Sequence, residues 1–126
     1  MIQQEGPGWR LAHDPSRLRY PVLIGGEAWA FELTEWEWQG LVALVSELTN
    51  QHQALVDQLL EEEAITLEME RAPWWGCLEG HRDRWALQVL LEADATGGRG
   101  VEGHWPAPAA QAVTAAMRTI WDSGSR

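Results

Sequence analysis

Apolar residues along this chain change their spacing several times, and each change marks an element. From Gly8 to Leu11 apolar and polar positions alternate, which fits a short strand with Trp9 and Leu11 turned inward. Asp14-Pro15-Ser16 reads as a turn. Val22-Leu23-Ile24 is a run of good strand formers that stops at Gly25-Gly26. Trp29, Phe31 and Leu33 then alternate with Ala30 and Glu32, placing three large side chains on one face. The spacing predicts a hairpin of segments 22–24 and 29–33 closed over residues 25–28.

At Thr34 the period lengthens to that of a helix. Thr34-Glu35-Trp36-Glu37 has the spacing of a capping box, and Leu33 stands where it can staple onto Trp38. Leu41, Val45, Leu48, His52, Leu55 and Leu59 recur at three- and four-residue steps, the stripe of an amphipathic helix. A helix from 35 to about 60 would be about 39 Å long at 1.5 Å per residue. That exceeds the width of so small a domain. The expectation is a bend or break near Asn50, or packing against something outside its own subunit. The carboxylates of Glu61-Glu62-Glu63 oppose the helix dipole and end the helix.

A period of two then returns. Ile65, Leu67 and Met69 face one way and Thr66, Glu68 and Glu70 the other. Segments 74–79 and 85–91 follow as strands, the second with Trp85, Leu87, Val89 and Leu91 on one face. Residues 95–100 are a loop by composition, and Val101, Gly103 and Trp105 form a last short strand. Pro106 and Pro108 precede an Ala-rich amphipathic helix carrying Ala109, Val113, Met117 and Ile120. The fold class is α+β: an antiparallel sheet of about seven strands in two strand-then-helix blocks, one long and one shorter helix. All 126 residues read as a single domain with an ordered core over about 6–122.

Composition narrows the function classes. Nineteen Asp and Glu face nine Arg, with no Lys, for a formal net charge of −10. Such a chain repels a phosphate backbone and anionic lipid headgroups, which argues against duplex packaging or a membrane-surface role. The lone Cys77 can form no internal disulfide. The start lacks the basic and apolar regions of a signal peptide, and no apolar window is long enough to span a bilayer. A cytoplasmic protein is the expectation. Nine Trp stand against one Tyr and one Phe, more indole than so few residues readily bury.

Several short segments carry a resemblance. They are Gly8-Trp9-Arg10-Leu11, Leu23-Ile24-Gly25-Gly26, Glu32-Leu33-Thr34, Gln58-Leu59-Leu60-Glu61-Glu62-Glu63 with Ile65-Thr66-Leu67-Glu68, Trp74-Trp75, and Glu102-Gly103-His104-Trp105. Together they resemble the blocks of a small cyanobacterial family of unknown function, domain of unknown function 1818, over about residues 6 to 122. The resemblance implies a cyanobacterial source. It also implies a fold similar to the single-stranded-DNA-binding transcriptional regulator domains, among them the plant Whirly proteins. It brings no catalytic residues with it, and a shared fold does not fix function.

The candidate residues follow from the tryptophans and arginines. Trp9, Trp29 and Trp85 occupy inward strand positions, whereas Trp36, Trp74, Trp75 and Trp105 are harder to bury together. Those four form a candidate interaction surface, joined by Arg17 and Arg19 of the one locally basic stretch and by His52 on the helix stripe. Enzymatic readings are poorer. Cys77 and His81 are separated by a turn, and the four histidines lack HxxxH or HExxH spacing, so neither a catalytic site, a metal nor a cofactor is expected. The expected function is a non-catalytic acidic regulatory or adaptor protein that binds another protein, with a homodimer as one form of assembly. The alternative is a single-stranded nucleic-acid binder with arginines and tryptophans as its groove and stacking platforms. A small enzyme of undefined class is a distant third.

Overall fold

The computed structural model describes residues 1–93 and 98–124. Strands β1 (Ile2–Gly6), β2 (Trp9–His13), β3 (Val22–Gly26) and β4 (Ala30–Leu33) form one antiparallel meander in chain order. Helix α1 (Glu35–Leu55) follows and runs into a 3-10 turn at Val56–Gln58. Strands β5 (Ile65–Arg71), β6 (Trp74–Gly80), β7 (Trp85–Leu91) and β8 (Val101–Trp105) form a second meander, and α2 (Ala109–Gly124) comes last. The α+β class holds, but the sheet layout expected from the sequence is corrected. Among the described residues eight strands, not about seven, lie in two separate four-stranded sheets.

The strand that periodicity missed is β1. Its sequence, Ile-Gln-Gln-Glu-Gly, contains one large apolar residue and no alternation to detect. It is held by backbone pairing to β2 in the register Ile2↔His13 to Gly6↔Trp9. Pro7-Gly8 closes that hairpin, with Gly8 at φ 79, the positive value that a type II turn needs at its third residue. The loop expected over 95–100 lies partly outside the described residues.

Helix α1 starts as its capping box demands. Glu37 N–H donates to Thr34 Oγ1 at 3.1 Å, and Thr34 N–H donates to Glu37 Oε1 at 2.8 Å. No break occurs at Asn50. The helix ends at Leu55 rather than near 60, so its 21 residues span about 32 Å. Leu48 and His52, on its far half, are buried within the same chain. The length that suggested a neighbouring subunit is therefore accommodated by an earlier stop. Beyond it, Leu60 N–H donates to Glu63 Oε1 at 3.1 Å, so the acidic run folds into a turn of its own.

Each helix packs against the sheet of the other block. The buried face of α1, from Trp38 through Leu41, Leu44 and Leu48, lies on β5 and β6. Gly76 makes that approach close: a Cβ there would stand 2.8 Å from Leu44 Cδ2. Helix α2 lies on β1 and β2 and also touches β7. Residues from both sheets and both helices thus share one core, including Leu11, Ile24, Leu44, Leu78, Leu87 and Val113.

The two sheets meet where β3 contacts β8. Trp105 Nε1–H donates to the Gly25 carbonyl at 2.9 Å, and the Trp105 side chain is fully buried. Trp29 lies against Trp105 at 5.0 Å and Phe31 at 5.4 Å between ring centroids. Its indole fills the space over Gly103, where a Cβ would meet Trp29 Cη2 at 2.5 Å. Gly103→Ala is therefore expected to displace Trp29 and cost about 1–3 kcal/mol. The readout is a lower urea midpoint with an unchanged slope, and an unaltered midpoint would contradict the packing described.

Candidate functional site

The connection between β2 and β3 is a short loop tied at its neck. Asp14 N–H donates to the Pro21 carbonyl at 2.7 Å, and Arg17 N–H donates to the Asp14 carbonyl at 3.1 Å. Asp14 Oδ1 accepts from Ser16 N–H at 3.1 Å and from Ser16 Oγ–H at 2.6 Å, a local Asx arrangement. The two Ser16 bonds, side chain first, hold the Asp14 carboxyl below its ordinary pKa. The loop thereby presents Leu18 fully to solvent, with Arg17 and Arg19 on either side. Arg17 pairs with Glu32 at 2.5 Å, and the Arg19 guanidinium lies 5.3 Å from the Tyr20 ring centroid.

Opposite the loop stands the first turn of α1. The capping box turns Glu37 and Trp38 inward, and Trp36 is left 59% exposed. Glu35 meets His13 Nε2 at 3.0 Å. The Glu37 carboxylate is only 3% exposed and has a second task besides capping. Arg99 Nη1–H donates to its two oxygens at 2.7 and 2.8 Å, while Arg99 Nη2–H donates to the Glu32 carbonyl. The same guanidinium lies 4.6 Å from the Tyr20 ring centroid. One arginine before β8 thus fastens β4, the loop tyrosine and the start of α1 together.

Between these parts runs a groove of about 830 Å³. Met1, Leu18 and Trp36 border it, and all three are large exposed apolar side chains. Arg17, Arg19, His13 and Glu35 add polar groups along it. Its geometry depends on Glu37 keeping its countercharge. Arg99→Met leaves a buried carboxylate uncompensated, and the expected loss is about 3 kcal/mol, the low end for breaking a buried pair because Arg99 is partly solvated. Denaturant unfolding followed by circular dichroism measures it. A change below about 1 kcal/mol would remove the pair from its anchoring role.

Of the seven residues singled out by sequence, the fold brings three together: Arg17, Arg19 and Trp36 all line this groove. Trp74 and Trp105 are fully buried, Trp74 donating from Nε1 to the Glu37 carbonyl at 2.9 Å. They belong to the core and form no part of a surface. Trp75 is half-buried on β6, opposite Leu90 of β7. His52 is buried beside Trp85, ring centroids 5.7 Å apart, with Nε2 3.1 Å from the His81 carbonyl. Sequence reasoning passed over Leu18 and Met1. Leu18 has a readable signal, a lone leucine between two arginines in a segment with no apolar period.

Cys77 and His81, the nucleophile pair weighed from the sequence, do not face each other. Cys77 is buried in β6, and its thiol is pushed above the ordinary pKa by burial first and then by Glu68 and Glu79. His81 directs Nδ1 to the Glu63 carbonyl at 3.3 Å rather than to the thiol. The native thiol is expected to react with a disulfide reagent at pH 8 at least tenfold more slowly than in the unfolded chain. The raised pKa adds stability that is present below about pH 8.5 and lost as pH rises through the folded value. Equal native and unfolded rates would contradict the burial. Among the described residues no group of three or more His, Cys, Asp or Glu is placed to hold a metal ion. No helix among them is long and apolar enough to cross a membrane.

Fold and groove together define a two-sheet α+β protein with three exposed apolar side chains, Met1, Leu18 and Trp36, around the start of one helix. The chain belongs to the family described as Domain of unknown function (DUF1818), whose model matches residues 4–120. It is similar to a crystal structure of a Prochlorococcus sp. NATL2A protein described as of unknown function and from the DUF155 family. That likeness has 45% sequence identity and a TM-score of 0.90, covering 96% of this chain and 99% of the other. No curated protein matches.

Proposed function

We propose that this chain is a non-catalytic protein-binding module that docks its partner in the groove between the 14–21 loop and the start of α1. The observation that carries the reading is the meeting of Met1, Leu18 and Trp36 around one groove. Clustered exposed apolar side chains mark interaction surfaces more reliably than scattered ones. A tryptophan beside arginines is also the composition of interface hot spots. Trp36 stands on a capped helix and Leu18 on a loop closed at its neck, so both are held in place before binding and less order is lost on docking. The net charge of −10 favours a partner of opposite sign at long range, with Trp36 and Leu18 supplying the desolvated contact.

The alternative, a single-stranded nucleic-acid binder, rests on the family resemblance. It has less support, because stacking platforms need a row of available aromatics and Trp74 and Trp105 are in the core.

The test is a pull-down from lysate of the source cells, repeated with Trp36→Ala and Leu18→Asp proteins of unchanged circular dichroism. A partner retained by the natural chain is expected to be lost from both variants, a weakening of about 30-fold or more. Retention of that partner by both variants overturns the reading. Short single-stranded oligonucleotides at low salt make the counter-test. Tryptophan quenching that disappears in Trp36→Ala would transfer the groove to nucleic acid. Sedimentation separates the kinds of protein partner: a mass near 14.2 kDa leaves the groove to a different protein, and twice that assigns it to a second copy.

A further inference from the structure

A second, smaller cleft of about 350 Å³ lies where α1, α2 and the β6–β7 connection meet. His52 and Trp85 border it and are nearly buried, while Arg82 and Arg118 line it against a single acid, Asp83. Neither arginine has a carboxylate within ion-pair distance among the described residues. Arg10, Arg19 and Arg84 likewise have no ion pair among the described residues, so what marks Arg82 and Arg118 is that both line one cleft. Arg118 is exposed and touches Thr49 Oγ1 from Nη2 at 3.4 Å, which leaves most of its donors open.

The wall of the cleft also holds unmet hydrogen-bonding groups. Among the described residues Arg82 Nε and Gln111 Oε1 are buried without a partner, although Gln111 Nε2–H donates to the Asp83 carbonyl at 3.0 Å. Each such group destabilises the fold while it stays dry and unpaired. One is a donor and the other an acceptor. A ligand that satisfies both after a small side-chain adjustment needs an acceptor for Arg82 Nε–H and a donor for Gln111 Oε1, and an anionic oxygen with a neighbouring hydroxyl supplies the pair. Two separate guanidiniums suit the several oxygens of a phosphate better than the two of a carboxylate. The volume lies at the lower end of the range for small-molecule sites.

We propose that this cleft binds a small hydroxylated phosphate ester of the sugar-phosphate class, with the phosphate between Arg82 and Arg118 and a hydroxyl on Gln111. The site is separate from the Trp36 groove and stands whether or not a protein docks there.

Calorimetric titration with glucose 6-phosphate, glucose, inorganic phosphate and citrate tests it on the full chain. Glucose 6-phosphate is expected to bind with Kd below about 1 mM. Arg118→Gln, an exposed substitution that leaves the fold intact, is expected to weaken it about tenfold or more, with Arg82→Gln acting in the same direction. Gln111→Leu is expected to remove the advantage of glucose 6-phosphate over inorganic phosphate, and Trp36→Ala to leave the titration unchanged. Absence of binding at about 10 mM, or binding indifferent to Arg118→Gln, overturns the proposal. Citrate binding as tightly as glucose 6-phosphate overturns the phosphate assignment. Co-sedimentation with phosphatidic acid vesicles, lost in Arg118→Gln, overturns the small-molecule assignment in favour of a lipid headgroup.

Discussion

The buried hydrogen bond from Trp105 on β8 to the Gly25 carbonyl on β3 fixes how the two sheets sit against each other. Its acceptor belongs to a strand whose register runs Arg10↔Gly25 on one side and Gly25↔Ala30 on the other. Moving Trp105 therefore means moving the whole first meander. The glycines at this seam, Gly26 and Gly103, leave room for the Trp29 indole beside Trp105, where an added Cβ at either position would collide with it. Large rings against bare backbone give a wide contact at close range, and the indole N–H meets the one strong polar demand of that contact. Both meanders and both helices inherit their relative positions from it.

Glu37 does the corresponding work at the other helix boundary. A capping-box glutamate ordinarily lies at a solvated helix start, and its effect is local. In this chain the same carboxylate is buried and clamped by Arg99, a residue 62 positions away in the sequence. Local helix initiation and long-range docking are thereby written into one side chain. The result is an inward-facing Trp38 and an outward-facing Trp36, two residues and about half a helical turn apart.

Legibility from the sequence followed the strength of the local pattern. The capping box, the helix stripe and the alternation in 85–91 were readable because buried and exposed positions differ in chemistry at a regular interval. β1 was not, since its order comes from pairing with β2 and its side chains are mostly polar. The end of α1 was misjudged for a related reason: Leu59 continues the stripe in sequence, but the 3-10 turn at Val56–Gln58 has already left the helix. At the groove, Trp36 was legible as an indole with nowhere obvious to go. Trp74 and Trp105 looked similar and are core, because their burial depends on contacts with Glu37 and Gly25 that no local pattern encodes. Arg99 escaped notice altogether, being one arginine in a glycine-rich stretch.

The crossing of helices between blocks makes each half of the chain incomplete by itself. The first meander relies on α2 and the second on α1, joined through the short acidic turn after the 3-10 segment. Such an arrangement is already that of an intertwined pair, with the two members tethered. Neither meander has its buried face covered until the helix of the opposite half is in place, so the core is a joint product of both halves.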